Sequence, residues 1–234
     1  MITSKQIQEQ IDILLQEGVY DPSIFKAIFT AGGSGSGKSF IAGKVSGGLG
    51  FRVVNSDDMF SFLMNKSGIP LDLSKTPEKD WSKVVDVRSI SKQKTDLKKR
   101  IYLEGRLGVI IDGTGADYVK IKSGKDKMES AGYDTFMIFV DTSLEVAKKR
   151  NADRPRRVPD SVLEIKWKES QDNKKRYQSL FGNNMVIIRN DSPIEQEEAI
   201  LSVVWKQVMK FSQRPPSSPI AKEWIQQELE RKRR

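Results

Sequence analysis

A glycine-rich segment near the start of the chain constrains its fold and chemistry more than any other feature. Residues 32–39, Gly-Gly-Ser-Gly-Ser-Gly-Lys-Ser, match the pattern G-x-x-x-x-G-K-[ST]. In such loops the backbone N–H groups converge on a polyphosphate, the lysine reaches the β- and γ-phosphates, and the hydroxyl group binds Mg²⁺. The apolar run at 24–29 and the helical spacing at 40–45 favour this interpretation over a flexible Gly/Ser linker. The residues expected to contact the nucleotide are Gly33, Ser34, Gly35, Ser36, Gly37, Lys38, Ser39 and Phe40.

The composition excludes several classes of protein and of site. The chain has 234 residues, 37% of them hydrophobic, which is enough for the core of one α/β domain with appendages. No apolar run approaches the roughly 20 residues that span a bilayer, and the N-terminus lacks the apolar centre of a secretory signal, so we expect a cytoplasmic protein. Cysteine and histidine are absent, which excludes disulfides, thiolate zinc sites and a histidine base. Any acid–base chemistry must use carboxylates, lysines or tyrosines.

Strand-like and helical segments alternate along the chain. Apolar runs predict five strands, at 24–29, 50–55, 107–112, 135–140 and 185–188. Helical spacing predicts helices after the phosphate loop and at 76–103, 118–131, 143–151, 161–179 and 193–211, and residues 59–75 are expected to hold a short apolar helix and a turn at 68–70. The alternation predicts an α/β fold in which helices cover both faces of a five-stranded, mainly parallel sheet, in three layers.

Two further segments flank this arrangement. Residues 4–17 are expected to form an outer helix capped by Ser4, and residues 215–219, rich in proline and serine, are typical of a linker. An amphipathic helix is expected at 220–234, ending in four basic residues that contribute to the formal net charge of +9. We therefore expect one domain over 1–213 and a basic tail over 214–234, which packs on the body of the protein or on a partner.

Carboxylates follow two of the predicted strands. Asp57 and Asp58 come directly after the second strand, at the sheet edge where ligands bind in open α/β sheets. One of them is expected to orient an acceptor hydroxyl, with Asp57 preferred, although a pair of helix-capping residues would look the same. Asp112 ends the third strand and is predicted to hold a metal-bound water or an acceptor hydroxyl, with Ser39 as the other metal-site residue. The turn at Thr114 and Gly115 is expected to contact the acceptor, with a plain strand-to-helix turn as the alternative.

A basic segment follows the fourth strand and its helix. It contains Arg150, Arg154, Arg156 and Arg157, and prolines bound its central part. Guanidinium groups stay charged and bind phosphate oxygens in a fork, so a mobile loop carrying them would bring positive charge over the transferred phosphate. We expect an arginine-rich lid with Arg150 and Arg157 as the main catalytic arginines and Arg154 next. A solvated run of charge is the alternative.

Residues 60–105 are expected to build the acceptor pocket, but they carry no recognisable substrate signature. Aromatic side chains elsewhere could stack on a base or a sugar, although their spacings favour core packing. These residues are Trp81, Tyr102, Trp167 and Tyr177.

Taken together, these pieces resemble the P-loop NTPases of the kinase group that includes zeta toxins and polynucleotide 5′-kinases. The matching segments are the phosphate loop, residues 55–58, residues 110–115, residues 131–133 and the arginine lid. The resemblance implies that ATP, with Mg²⁺, donates its γ-phosphate to a hydroxyl group. It also implies that Lys38 clamps the phosphates and that Asp57 is the base. By the same resemblance Asp112 and Thr114 lie near the acceptor, and Arg150 and Arg157 stabilise the transferred group.

The sequence departs from both members of this group. Zeta toxins carry a glutamate at the position of Asp112, and polynucleotide kinases carry a basic residue three positions after the base, where this chain has Phe60. The acceptor is therefore left open between a nucleotide, a nucleotide sugar and a nucleic-acid 5′ end. A second hypothesis is a nucleotide-gated binding protein that does not transfer phosphate and uses its basic tail for nucleic acid or a protein partner.

Overall fold

A computed structural model describes residues 18–73, 76–191 and 197–233 of the chain. The predicted N-terminal helix at 4–17 lies outside these described residues. Five strands form one sheet: β1 (Lys26–Ala31), β2 (Arg52–Val54), β3 (Val109–Ile111), β4 (Asp134–Asp141) and β5 (Met185–Arg189). Their order is β2-β3-β1-β4-β5, and every neighbouring pair is parallel. The prediction of a five-stranded parallel sheet is confirmed.

Helices cover both faces of the sheet, as predicted. In chain order they are α1 (Lys38–Leu49), α2 (Ser56–Lys66), α3 (Trp81–Glu104), α4 (Tyr118–Ser130), α5 (Leu144–Ala152), α6 (Asp160–Phe181), α7 (Glu197–Ser212) and α8 (Pro219–Lys232). Buried side chains of α3, α4, α6 and α8 form one core with the sheet, and those of α1 and α7 form a second core on the opposite face. Strands buried on both faces read as continuous apolar runs, which is why β1 and β4 were recognisable in the sequence.

A third hydrophobic cluster joins α2 to α3, apart from both faces of the sheet. Phe60 and Met64 of α2 are buried against Val84 and Val87 of α3. This pair of helices forms a small subdomain whose position is fixed by its own apolar contacts. It forms one wall of the cleft described below.

The largest difference from the sequence-based prediction is the start of α2. That helix was expected to begin near residue 59, but it begins at Ser56 because the Asn55 side chain caps it, accepting a hydrogen bond from the Asp57 backbone N–H at 2.7 Å. A capping amide that satisfies a free helical N–H stabilises the first turn. Asp57 and Asp58 therefore lie in the first turn of a helix, and this rigid setting fixes where their carboxylates lie.

Two of the four aromatic residues expected in the core are buried there, namely Tyr102 and Tyr177. Trp167 is half-buried, and Trp81, at 39% exposure, lies on the surface at the start of α3. Trp81 occupies a first helical turn, where half of its surroundings are solvent. The core-packing prediction is wrong for Trp81.

The C-terminal helix packs on the body of the protein. Ala221 of α8 is fully buried, and the Trp224 ring meets the Phe25 ring edge-on with centroids 5.6 Å apart. Gly132, in a left-handed conformation, lies close enough to Ala221 that an added Cβ atom would be 3.3 Å from the Ala221 nitrogen. No helix among the described residues is both long and apolar enough to cross a membrane.

We expect Trp224→Ala to lower the free energy of unfolding by about 2 kcal/mol, because it removes a half-buried aromatic ring from the core. Urea denaturation followed by circular dichroism measures this change. Lys222→Ala, at an exposed position of the same helix, is the matched control and should change stability by less than about 0.5 kcal/mol. Equal stability of the Trp224 variant and the wild type would show that the Trp224 ring contributes nothing to the stability of the fold.

Candidate active site

The phosphate loop lies between β1 and α1, and its shape depends on glycine. Gly35 and Gly37 have φ angles of 83° and 92°, values that side-chain-bearing residues rarely adopt. Gly37 immediately precedes α1, so the loop leads the free N–H groups at the start of that helix towards the cleft. The positive end of a helix and converging N–H groups together favour an anion such as a phosphate.

Side chains from two other segments of the chain contact the phosphate loop and support it. The Asn190 side-chain amide, just after β5, donates to the Ser36 carbonyl oxygen at 2.7 Å. The indole N–H of Trp167 donates to the Thr142 carbonyl oxygen at 2.7 Å, and its ring covers Gly33, where an added Cβ atom would lie 2.7 Å from the ring. The sequence-based prediction missed these supports because they come from residues more than a hundred positions away.

Lys38 is the first residue of α1, and its side chain is buried. Its ammonium group donates to the Gly33 carbonyl oxygen at 3.0 Å. Burial lowers the pKa of Lys38, and Arg154 and Arg156 lower it further, while Asp112 and Asp57 act in the opposite direction. A bound polyphosphate would supply the negative charge that this position favours.

The carboxylate of Asp112 connects three segments of the chain by hydrogen bonds at the edge of the sheet. It accepts hydrogen bonds from the hydroxyl of Thr30 at 2.6 Å, the hydroxyl of Ser39 at 2.9 Å and the amide of Asn55 at 2.9 Å. β1 and β3 are direct neighbours in the sheet. This pairing brings Asp112, directly after β3, close to Thr30 of β1 and to Ser39 of the phosphate loop. Strand spacing alone did not predict the contribution of Asn55.

The chemistry of this donor set fits Mg²⁺. The Ser39 hydroxyl and the Asp112 carboxylate are hard oxygen donors that face the cleft beside the phosphate loop. The described residues contain no cluster of three or more acidic ligands. Mg²⁺ in nucleotide sites is typically bound by one or two protein oxygens, with water and phosphate completing its coordination.

Asp57 faces the same cleft and pairs with two arginines. One carboxylate oxygen accepts from Arg88 of α3 at 2.7 Å, and the other accepts from Arg156 of the lid at 2.7 Å. Burial raises the pKa of Asp57, but Arg156 and Arg88 outweigh this effect and hold the pKa below its ordinary value. The carboxylate is therefore ionised and links the lid to the wall of the cleft.

The remaining predicted residues are divided between the cleft and its surroundings. Asp58 is exposed and lines the cleft together with Thr114. The Thr114 carbonyl oxygen also accepts from the Gly32 N–H at 3.0 Å, so this turn braces the phosphate loop. Phe40, at 43% exposure, lies on the outer side of α1 with Lys44 over its ring, away from the cleft lining.

The arginine segment contributes to the cleft in a different way from the one expected. Arg154 and Arg156 line the cleft, whereas Arg157 is exposed outside it and bonds to the Arg154 carbonyl oxygen. Arg150 donates to the Asn190 carbonyl oxygen at 2.8 Å, beside the support of the phosphate loop. Burial lowers the pKa of Arg154, as do Arg156 and Arg150. Within the described ranges no carboxylate lies within salt-bridge distance of Arg154.

A single cleft of about 740 Å³ is lined by Lys38, Ser39, Asp57, Asp112, Arg154 and Arg156. Lys38 and Ser39 belong to the phosphate loop and Arg154 and Arg156 to the lid, and one face of α3 also lines the cleft. Sequence analysis placed the acceptor pocket in residues 60–105 without naming any of them. The signal was present as cationic residues four and seven positions apart on α3, at 88, 92 and 99.

The chain is similar to known proteins in sequence and in fold. It is 29% identical over 146 residues to the cytidylate kinase of Natronomonas pharaonis, covering 62% of this chain and 65% of that protein, slightly under two thirds of its length. Its fold is similar to the AvrRxo1-ORF1:ORF2 complex with ATP, with a TM-score of 0.57, 15% identity, and coverage of 83% of this chain and 70% of that one. It is also similar to the PezAT toxin–antitoxin system of Streptococcus pneumoniae, with a TM-score of 0.52, 15% identity, and coverage of 90% and 96%.

At such low identities the two structural similarities concern the fold alone. The family profile is more specific, since the AAA domain profile matches residues 28–177, more than half of the chain. The matched segment runs from within β1 to the second half of α6, and it contains Lys38, Asp57, Asp112 and the lid. The chain therefore belongs to the AAA domain family and has the α/β fold of P-loop kinases.

Proposed function

We propose that this protein is an ATP-dependent kinase that transfers the γ-phosphate to a hydroxyl group of a nucleotide, a nucleotide sugar or a nucleic-acid 5′ end. One observation carries the proposal. An ionised carboxylate, Asp57, shares a cleft with Lys38 of the phosphate loop and with a lid arginine, Arg154, that has no salt-bridge partner among the described residues. A protein that only binds nucleotide needs neither the Asp57 carboxylate nor a lid arginine.

The comparisons support the same proposal. The curated relative is a cytidylate kinase, and one structure of similar fold was solved with ATP. The resemblance of the phosphate loop, the strand ends and the lid to zeta toxins and polynucleotide 5′-kinases supports a hydroxyl acceptor. A nucleoside monophosphate, whose acceptor is a phosphate oxygen, would be the substrate class expected from the curated relative alone.

Each part of the site has a role in the proposed transfer. The loop N–H groups and Lys38 bind the β- and γ-phosphates, and Ser39 and Asp112 are placed to hold Mg²⁺, which neutralises phosphate charge when bound. An acceptor hydroxyl beside Asp57 gives its proton to that carboxylate as its oxygen bonds to the γ-phosphorus. The bond from the γ-phosphorus to the bridging oxygen breaks, and ADP leaves with that oxygen.

Asp57 must exchange partners before it acts as a base. Its two oxygens accept from Arg88 and Arg156, so an acceptor hydroxyl has to replace one of these contacts. Release of Arg156 would free a guanidinium group in the lid for the transferred phosphate. The lid and the base are thus linked through the same ion pair.

Incubation with γ-labelled ATP and a panel of acceptors tests the proposal. The panel contains nucleosides, nucleoside monophosphates, nucleotide sugars and 5′-hydroxyl oligonucleotides. We expect the label to appear on a hydroxyl oxygen of at least one member. ATP binding with no transfer to any member would favour the nucleotide-gated binding protein, and label on the phosphate of a nucleoside monophosphate alone would indicate a different acceptor.

Two arginines of the lid provide a test variant and its matched control. We expect Arg154→Ala to lower kcat/KM by about 100-fold or more, because a guanidinium group over the transferred phosphate stabilises transition-state charge. Arg157→Ala removes the same charge from an exposed position outside the cleft, and its effect should stay below about threefold. Initial rates at varied ATP concentration measure both, and a larger loss in the Arg157 variant would reverse the assignment.

A further inference from the structure

The inward face of α3 carries positive charge along the whole length of the cleft. Arg88, Lys92 and Lys99 lie on this face, and Lys120 of α4 lines the same cleft. At 1.5 Å of helical rise per residue, Lys92 lies about 6 Å and Lys99 about 16 Å beyond Arg88 along the helix axis. The charge therefore begins at the pair formed by Arg88 and Asp57 and continues along α3.

Most of this charge has no ion-pair partner among the described residues. Within the described part of the chain, no carboxylate comes within salt-bridge distance of Lys92, Lys99 or Lys120. Other surface lysines do have such partners, including Lys83 with Asp80 and Lys122 with Asp126. Others, such as the exposed Lys94, have no such partner among the described residues, so Lys92, Lys99 and Lys120 are distinguished by lining one cleft.

The electrostatic surroundings of Lys99 agree with this view. Lys99 is half-buried, and burial is the main cause that lowers its pKa. Asp96 raises that pKa, whereas the nearby Lys127 and Lys120 lower it. Asp96 is the carboxylate on this stretch of the cleft wall, so cations outnumber it three to one among Lys92, Asp96, Lys99 and Lys120.

We infer that the acceptor carries a phosphate group of its own, as a monoester or a diester, and that Lys92, Lys99 and Lys120 bind this phosphate. The inference rests on the proposed kinase function and assigns the residues that bind the phosphate shared by all three proposed acceptor classes. An acceptor hydroxyl beside Asp57 would place a phosphate one or more sugar units away opposite these lysines. An uncharged acceptor would leave three cations unneutralised in the cleft.

Binding measurements test the inference without requiring turnover. The donor site is saturated with a non-hydrolysable ATP analogue and Mg²⁺, and calorimetry then compares the four ribonucleosides with their 3′-monophosphates, a nucleotide sugar and a 5′-hydroxyl tetranucleotide. We expect at least one phosphate-bearing compound to bind about tenfold more tightly than any nucleoside. Equal binding of the two classes would overturn the inference.

Variants of α3 then locate the phosphate. Lys92→Gln combined with Lys99→Gln should remove most of the advantage of the phosphate-bearing compound, while leaving the affinity for the ATP analogue unchanged. Lys94→Gln, an exposed position of the same helix outside the cleft lining, is the control and should retain the advantage. Equal loss in both variants, or no loss in either, would overturn the assignment to these lysines.

The two possible sources of the phosphate differ in their response to salt. A tetranucleotide that contacts several of these cations should show affinity that falls steeply as salt rises, with a shallower slope in the double variant. A nucleotide or nucleotide sugar should show a much weaker dependence. Either pattern supports a phosphate-bearing acceptor, and the difference identifies its source.

Label transfer measured on the same samples separates this inference from the proposed function. Transfer to an uncharged nucleoside as efficient as to its 3′-monophosphate would support the kinase and overturn the phosphate-bearing acceptor. Tight phosphate-dependent binding through Lys92 and Lys99, without transfer from ATP to any compound, would overturn the kinase and support the binding site.

Discussion

Lys38→Ala should lower turnover by about 10³-fold or more, the largest effect expected for any single change in this protein. The Lys38 ammonium group is buried at the end of the phosphate loop and contacts the Gly33 carbonyl oxygen. A shortened side chain leaves the β- and γ-phosphates of a bound nucleotide without the ammonium group that contacts them in loops of this pattern. Initial rates with γ-labelled ATP measure the loss.

Lys44→Ala provides the control for this experiment. Lys44 lies on α1, six residues further along, and is exposed, so it has the same charge and helix but no access to the cleft. The control should keep a rate within about twofold of the wild type, and thermal melting should show that both variants are folded. Full transfer activity in the Lys38 variant would contradict the assignment of the phosphate loop.

Asp57→Asn should lower kcat by about 10²- to 10⁴-fold, the range expected for removal of a positioned general base. The amide keeps the size of the side chain but cannot accept the proton of the acceptor hydroxyl. Asp58→Asn is the matched control, since Asp58 lies one position further along the same helical turn and pairs with neither Arg88 nor Arg156. Measurements at saturating ATP and acceptor separate kcat from binding.

Two other outcomes would contradict the assignment of Asp57 as the base. If Asp58→Asn abolished turnover and Asp57→Asn left it unchanged, the roles of the two carboxylates would be exchanged. If neither variant lost activity, the base would have to be sought elsewhere in the cleft. Because Asp57 also links α3 to the lid, the melting temperature of each variant should accompany its rate.

The pH dependence of the Asp57 contribution follows from the sign of its pKa shift. Arg156 and Arg88 overcome the effect of burial and hold the pKa below the ordinary 3.8. Because the folded value is lower than the unfolded one, the stabilisation is present above the unfolded pKa and is lost as the pH falls through the folded pKa. Asp57 therefore contributes no change in stability or ionisation near neutral pH.

Much of the architecture could be predicted because each buried strand is a continuous apolar run. The loop pattern fixed the place of Lys38 and Ser39, and the carboxyl ends of parallel strands brought Asp57 and Asp112 to the same sheet edge. The order of the strands was not predicted, since nothing in an isolated run such as 109–111 indicates its neighbours. That order decides that Asp112 meets Ser39 directly.

The parts of the site that were not predicted depend on the direction in which each side chain points. Sequence spacing does not give that direction. Arg156 and Arg157 are adjacent in the lid, yet one enters the cleft and the other lies outside it. The lid has no regular periodicity, so neighbouring residues could not be distinguished. Arg88 was missed for another reason, because α3 carries charge on several faces and only its packing on α2 selects the inward one.

The position of β1 at the centre of the sheet has a consequence for how the protein forms. Its two neighbours are β3 and β4, with Ile28 opposite Ile110 and Phe136, so both pairings close loops of more than eighty residues. During synthesis the glycine-rich loop leaves the ribosome long before either neighbour exists. Such distant pairing slows folding, and nucleotide stabilises a chain only in the state that binds it. A nucleotide bound at the glycine-rich loop would therefore stabilise only chains whose central sheet is already complete.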